Sequence, residues 1–218
     1  MDKLDIIIKL LSKGTVTTLE IFFLTIIISL PLGLLLSLGR KSKNKWISTP
    51  IKLYILIVRG TPLMLQIIFI YFAPYYMMPQ GSGLNINRFV AVVIAFALNY
   101  AAYFCEIFRG GIESISKEQY EAASSLGFTK GQTFFRIILP QVIKRILPAC
   151  SNEVINLVKD TALAQIVGVS ELFRQASNAS SRYFSTTPLF MAGIFYLILN
   201  WFVTITFSLL EKKLDYYK

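Results

Sequence analysis

Histidine is absent from this 218-residue chain, which rules out imidazole ligands for a metal and an imidazole general base. Cysteine is nearly so. The two that occur, Cys105 and Cys150, form no CxxC pair and no disulfide framework. Both fall in or beside apolar runs, where a thiol behaves as a small buried hydrophobe. No GxxxxGK[ST] segment is present, so the chain has no P-loop with which to cradle the phosphates of a nucleotide. With no histidine and no nucleophile set beside a base, a membrane enzyme ranks last among the function classes. Charge is scarce as well: Asp, Glu, Lys and Arg make 16% of the residues, against roughly 25% in soluble domains.

The chain is filled instead by apolar side chains, which make 55% of it and give a mean hydropathy of +0.59. A soluble surface of that composition would aggregate, and a bilayer removes the problem. A spanning helix needs about 20 mostly apolar residues, and five runs qualify: 17–38, 51–76, 88–108, 148–169 and 188–210. The expected fold class is all-α, a polytopic membrane helix bundle of five transmembrane helices forming a single domain over 1–218. Arg59-Gly60-Thr61-Pro62 interrupts the second run and predicts a kinked or broken helix. The turn-rich Pro79-Gln80-Gly81-Ser82-Gly83 ends it. Residues 1–14 carry two Asp and three Lys, and the apolar run after them is longer than a signal-peptide core, so no cleavable signal is expected.

On a soluble domain the net charge of +10 would suggest nucleic acid. Here the basic residues sit between apolar runs and set topology instead, so no nucleic-acid partner is expected. An outside N-terminus places 14 basic residues in the cytoplasmic segments 40–52, 109–145 and 211–218, and 6 in the outer ones. The chain is therefore expected to be a multi-pass protein surrounded by membrane lipid, with its N-terminus outside and its C-terminus in the cytoplasm. No internal repeat of the kind that builds many secondary carriers is visible. Five spans are few for a wide polar pathway, and dimerisation is the simple remedy.

The polar segment 112–146 lies on the cytoplasmic side of this topology. Within it, 121–126 is good helix material stopped by Gly127, and 130–138 reads as a second short helix closed by Pro140. Ala122, Ala123, Ser124 and Ser125 are expected to face outward as a surface of small side chains that a partner can approach closely. A plain pair of surface helices is the other reading.

Glu121-Ala122-Ala123, Gly127 and Ile138-x-Pro140 resemble the EAA motif of ABC importer permeases, at that family's spacing, with several fixed points over about 20 residues. Arg59-Gly60-Thr61-Pro62 is similar to an element of the polar amino acid branch of the family (histidine, glutamine, glutamate, arginine or cystine). So are Asn99-Tyr100-Ala101-Ala102-Tyr103 with Glu106 and Arg109-Gly110-Gly111, and Asn152-Glu153 with Lys159-Asp160-Thr161 and Leu163. The resemblance covers most of the chain. It implies a MetI-like permease fold with short coupling helices, in the bacterial cytoplasmic membrane. It also implies that the 112–146 loop receives a separate ABC ATPase subunit, two copies per transporter, at Tyr120, Glu121, Ala122, Ala123, Ser124, Leu126, Gly127 and Pro140. A second permease subunit, identical in the simplest arrangement, and an extracytoplasmic amino acid-binding protein complete the implied assembly. ATP and Mg²⁺ would then belong to the ATPase, and this chain would be a non-catalytic transport subunit with no cofactor or metal of its own.

The fourth run carries a polar stripe. At about 100° per residue, Asn152, Glu153, Asn156, Lys159 and Asp160 fall within an arc of about 120°, with Thr161 on the opposite side. Charge at mid-membrane costs several kcal/mol unless paired or wetted, so the stripe must face the bundle interior, a dimer axis or a cavity. One reading is a self-satisfied network in which Lys159 is neutralised by Asp160 or Glu153, locally or across a dimer. The other is a translocation path, whose amides and mixed charges suit the ammonium and carboxylate of an amino acid. In the third run, Ala91, Ala95, Asn99, Ala102 and Glu106 recur at helical spacing, with alanines for close packing and Asn99 to hydrogen-bond within the bundle or to a ligand. Tyr103, and Gln66 beyond the Pro62 break, complete the candidate pathway. Glu106 and Arg109 are spaced for an ion pair. The rival to an ATP-driven permease is an ion-coupled secondary amino acid carrier.

Overall fold

The structure is a computed structural model that describes residues 3–77 and 86–214; the expected turn at 79–83 lies outside them. No strand occurs among the described residues. Helix α1 (Lys3–Arg40) begins well before its apolar run and packs along α4 (Arg88–Glu113). The seam is made of small side chains. Thr25, Ser29 and Ser37 of α1 and Ala91, Ala95 and Ala101 of α4 are all fully buried. A Cβ on Gly33 would lie 2.8 Å from Phe104 Cβ and 3.1 Å from the Ala101 carbonyl oxygen, so the two backbones nearly touch, as small residues allow in a membrane.

Helices α2 (Lys45–Gly60) and α3 (Leu63–Met77) meet at a bend of 110°. This is the predicted break at Thr61-Pro62. Thr61 takes an extended conformation (φ −123°, ψ 146°), as a residue before proline prefers, and Pro62 has no N–H to carry the helix on.

Beyond α4 come α5 (Lys117–Ser125), the short α6 (Lys130–Gln132), a π-helix (Thr133–Ile138) and α7 (Leu139–Asp160). The chain continues through a 3₁₀ segment (Thr161–Val167), α8 (Leu172–Tyr183) and α9 (Thr187–Leu214). Among the described residues, α1, α4 and α9 are each long and apolar enough to cross a membrane, and the bent α2–α3 pair is a fourth candidate. The expected fourth span, 148–169, does not qualify by length and composition, because α7 carries the polar stripe. Its α-helix also stops at Asp160 rather than 169, tightening into 3₁₀ turns that end at Gly168 in the left-handed region (φ 89°).

Two further expectations are corrected. The polar stretch 170–187 between the fourth and fifth runs, which reads in the sequence as a loop, contains α8. The carboxylate oxygens of Glu171 accept from the Phe173 and Arg174 N–H groups at 2.7 Å, so a glutamate fills the N-cap role that Ser, Thr, Asp or Asn more often takes. Leu172, Ala176 and Ala179 bury one face, against α1 and α9. Nor does Pro140 close a short helix. The π-helix runs without a break into α7, and the Leu139 N–H reaches back to the Phe134 carbonyl. The wider turn gives the Pro140 ring room where an α-turn would press it on the carbonyl four residues back.

Candidate functional site

The break between α2 and α3 forms one wall of a polar cavity of about 330 Å³. Thr61, Pro62 and Leu63 line that wall, Asn99, Tyr100 and Tyr103 of α4 a second, and Glu153, Asn156 and Asp160 of α7 a third. The stripe is oriented as its helical phase predicts: Cys150, Val154, Leu157, Val158 and Thr161 are buried on the opposite side, while Asn152, Asn156 and Lys159 are exposed in the single chain.

Hydrogen bonds hold the lining. The Tyr100 hydroxyl donates to Asp160 Oδ2 at 2.7 Å, fixing α4 to the end of α7. Asn99 Nδ2 donates to Gln66 Oε1 at 3.0 Å. Gln66 Nε2 in turn donates to the Val58 carbonyl at 2.8 Å and to Thr61 Oγ1 at 2.9 Å. Gln66 thus satisfies a carbonyl freed by the helix break, the usual device where a membrane helix is interrupted. Below the cavity, Glu106 accepts from Arg109 at 2.9 Å, the expected i,i+3 pair. It also pairs with Arg40 and lies 3.7 Å from Arg59. The Arg59 guanidinium sits over the Tyr103 ring, 5.3 Å from its centroid.

Of the eight candidate pathway residues, Asn99, Tyr103, Glu153, Asn156 and Asp160 share the cavity. Gln66 stands one hydrogen bond behind it through Asn99. Asn152 and Lys159 do not line it. Among the described residues Lys159 makes no ion pair within hydrogen-bonding distance of Asp160 or Glu153, the local form of one of the two readings; Asp160 is held by Tyr100. Tyr100, Thr61, Pro62 and Leu63 were missed as lining residues. The signal lay in Tyr100 and Tyr103 being three apart on one helix face, and in the habit of broken membrane helices of flanking binding sites. Among the described residues, Glu153 and Asp160 are the carboxyls of the lining, and no lysine or arginine lines it.

The second candidate region is the 112–146 loop. Helix α5 ends in a Schellman turn: the Phe128 N–H reaches the Ala123 carbonyl at 3.1 Å and the Gly127 N–H the Ser124 carbonyl at 3.0 Å. Gly127 takes φ +78°, which only glycine adopts without cost. Thr129 and Gln132 then form a reciprocal capping box. Leu126 is 76% exposed and Tyr120 38%, and Glu121, Ala122, Ser124 and Pro140 are exposed as well. Ala123 is the exception to the expected outward surface: it is buried at 2%, because α5 rests on the π-helix through that side. Beneath the loop, Ile115, Ile138 and Val142 form a small core joined by Ile112, Phe134 and Ile146, and Arg145 bonds the Ser114 carbonyl. The loop is therefore packed firmly onto the bases of α4 and α7.

The family model described as the binding-protein-dependent transport system inner membrane component matches residues 29–216. The arginine transport system permease protein ArtQ of Bacillus subtilis is 38% identical over 211 residues, covering 95% of this chain and 93% of the relative. The L-cystine transport system permease protein TcyB of the same organism is 35% identical over 210 residues, covering 95% and 88%. A putative glutamine transport system permease protein GlnP of Rickettsia felis is 36% identical, covering 93% and 91%. Among solved structures, a chain of an amino acid ABC transporter crystallised with histidines superposes with a TM-score of 0.87 at 34% identity, covering 98% of this chain and 99% of that one. A chain of the inward-facing MetNI methionine ABC transporter matches with a TM-score of 0.76 at 18% identity, covering 99% and 100%, and shows the shared fold.

Proposed function

Because the chain belongs to the family of binding-protein-dependent transport system inner membrane components, we propose that it is the permease subunit of an ABC importer that carries a cationic polar amino acid across the bacterial cytoplasmic membrane. Membrane location and transport of amino acids follow the family and the relatives named above. The cationic preference rests on one observation: among the described residues Glu153 and Asp160 line the cavity and no basic side chain does, Arg59 standing behind the Tyr103 ring. Carboxylates in a site of low dielectric select a cation strongly, and Asn99, Asn156 and Tyr100 add the amide and hydroxyl groups that an α-carboxylate or side-chain nitrogen needs.

In this reading α1, the α2–α3 pair, α4, α7 with its 3₁₀ extension and α9 are the five spans, with the N-terminus outside and the C-terminus in the cytoplasm. The exposed Asn152, Asn156 and Lys159 face a second permease subunit, identical in the simplest case. Two ATPase subunits dock on the loops at Tyr120, Glu121, Ala122, Ser124, Leu126 and Gly127; ATP and Mg²⁺ belong to them, and this chain binds neither. Their closure drives the spans between inward- and outward-facing arrangements, and an extracytoplasmic binding protein delivers the amino acid. Ala123, buried beneath α5, supports the loop from within rather than touching the ATPase, while the exposed Pro140 joins the docking surface.

The test is uptake in vesicles carrying the permease with its ATPase and binding protein. Arginine and lysine are expected to compete best, and Asp160→Asn to raise the KM by tenfold or more. Equal competition by neutral and acidic amino acids would sink the cationic preference. Uptake by the permease alone, driven by an ion gradient without ATP, would replace the importer with a secondary carrier.

A further inference from the structure

On the far side of α7 from the polar stripe lies an apolar trough of about 630 Å³, walled by α1, α7 and α9. Its volume falls within the roughly 300–1,000 Å³ of cavities that hold small organic ligands. Its shape is long and narrow. Lining residues run from Ile143 to Val158 on α7, Thr18 to Leu30 on α1 and Leu199 to Phe207 on α9, or about 12–22 Å at 1.5 Å per residue. That is close to the ~15 Å depth of one leaflet, half of the ~30 Å hydrocarbon core. Nearly all the lining is aliphatic or aromatic, so a water-filled role is excluded.

The trough does not end blind. Leu147 lines it and also lines a second cavity of about 410 Å³ at the start of α7 and the end of α9. Among the described residues that cavity carries Lys144, Lys212, Ser208 and one carboxylate, Glu211, two positive charges to one negative beside an apolar slot. A basic mouth opening between membrane helices matches the chemistry of an anionic lipid headgroup. Serine hydroxyl and lysine ammonium are both donors to phosphate oxygens.

We propose that this paired slot and mouth form a binding site for one anionic phospholipid per permease, with an acyl chain in the α1–α7–α9 trough and the phosphate at Lys144, Ser208 and Lys212. The lipid fills the groove behind α7 and so braces the helix that lines the polar cavity on its other face. The assignment needs only that the chain lies in a bilayer, and is independent of what the polar cavity carries.

The test is lipid retention by the full chain purified in detergent, read by native mass spectrometry after addition of phosphatidylglycerol or phosphatidylcholine with the same acyl chains. Wild type is expected to hold one phosphatidylglycerol at least tenfold more tightly than phosphatidylcholine. The double substitution Lys144→Gln with Lys212→Gln should erase that preference, and Thr206→Trp, which fills the slot from α9, should lower retention of both lipids. Equal retention of the two lipids by wild type, or an unchanged preference in the double lysine variant, overturns the proposal. So does full competition by inorganic phosphate at equal concentration, since that would assign the mouth to a free anion. Thermal unfolding of each variant near the wild-type midpoint ensures that lost retention reports the site and not the fold.

Discussion

Replacing Gly111 with alanine tests the joint between the loop and the bundle. A Cβ at Gly111 would stand 2.1 Å from Ile146 Cγ2 and 3.2 Å from Val142 Cγ1, so Gly111→Ala forces either a rotamer change or a separation of α4 from α7. Isoleucine in a helix has one strongly preferred χ1, which makes the rotamer change expensive. Overpacking of this kind costs about 1–3 kcal/mol, while alanine gains about 1 kcal/mol over glycine in helix propensity. Gly111→Ala alone should therefore be destabilising by up to about 2 kcal/mol, the clash outweighing the propensity. In an Ile146→Ala background the 2.1 Å contact disappears and only the 3.2 Å approach to Val142 remains, so the same substitution should become stabilising, by up to about 1 kcal/mol. The sign reversal is the signature. Thermal unfolding of the four proteins of the cycle, followed by circular dichroism in detergent, would read it as midpoint shifts of about 2–4 °C per kcal/mol for a chain of this size. If Gly111→Ala has the same effect in both backgrounds within about 0.5 kcal/mol, the two side chains do not meet and the packing of the loop onto α7 has been misread.

Gly127→Ala must hold a left-handed backbone at a site with open space around it; it should cost about 1–2 kcal/mol locally and weaken co-purification of the ATPase without lowering membrane insertion, and normal co-purification would argue against a docking role. Tyr100→Phe keeps the ring and removes the donor to Asp160; losing a hydrogen bond to a charged group costs about 1.5–3 kcal/mol, and uptake should fall at unchanged expression. Glu106→Gln removes the counter-charge shared by Arg40, Arg59 and Arg109, of which Arg109 keeps a second carboxylate in Glu113; it should destabilise the chain by about 1.5–3 kcal/mol, which a lowered unfolding midpoint would reveal.

Much of this arrangement was legible in the sequence because membrane helices announce themselves by composition. The break at Pro62 followed from the missing N–H, the alanine seam of α4 from its spacing, and the phase of the α7 stripe from 100° per residue. The stop of α7 at Asp160 was not legible, since the following residues are as apolar as helix interior and the 3₁₀ turns answer to Gly168 and to tertiary packing. Helix α8 was hidden because only three residues, Leu172, Ala176 and Ala179, bury its inner face and its remaining positions read as polar loop. Ala123 looked outward-facing because a run of small residues has no periodicity from which to tell its buried member. The cavity itself joins α2–α3, α4 and α7, and no local pattern could pair Tyr100 with Asp160 across 60 positions.

The unbroken passage from the π-helix into α7 has a mechanical consequence. From Thr133 onward the backbone is helical up to Asp160, so α7 links its base to its tip as one lever whose weak point is the hydrogen bond missing at Pro148. Its 22 residues span about 33 Å at 1.5 Å per residue. A tilt of only about 5° at the base would carry the Asp160 end through about 3 Å over that length, comparable to a hydrogen bond. The bond from Tyr100 to Asp160 is therefore a latch on the long arm of this lever, where a small rotation has its greatest reach.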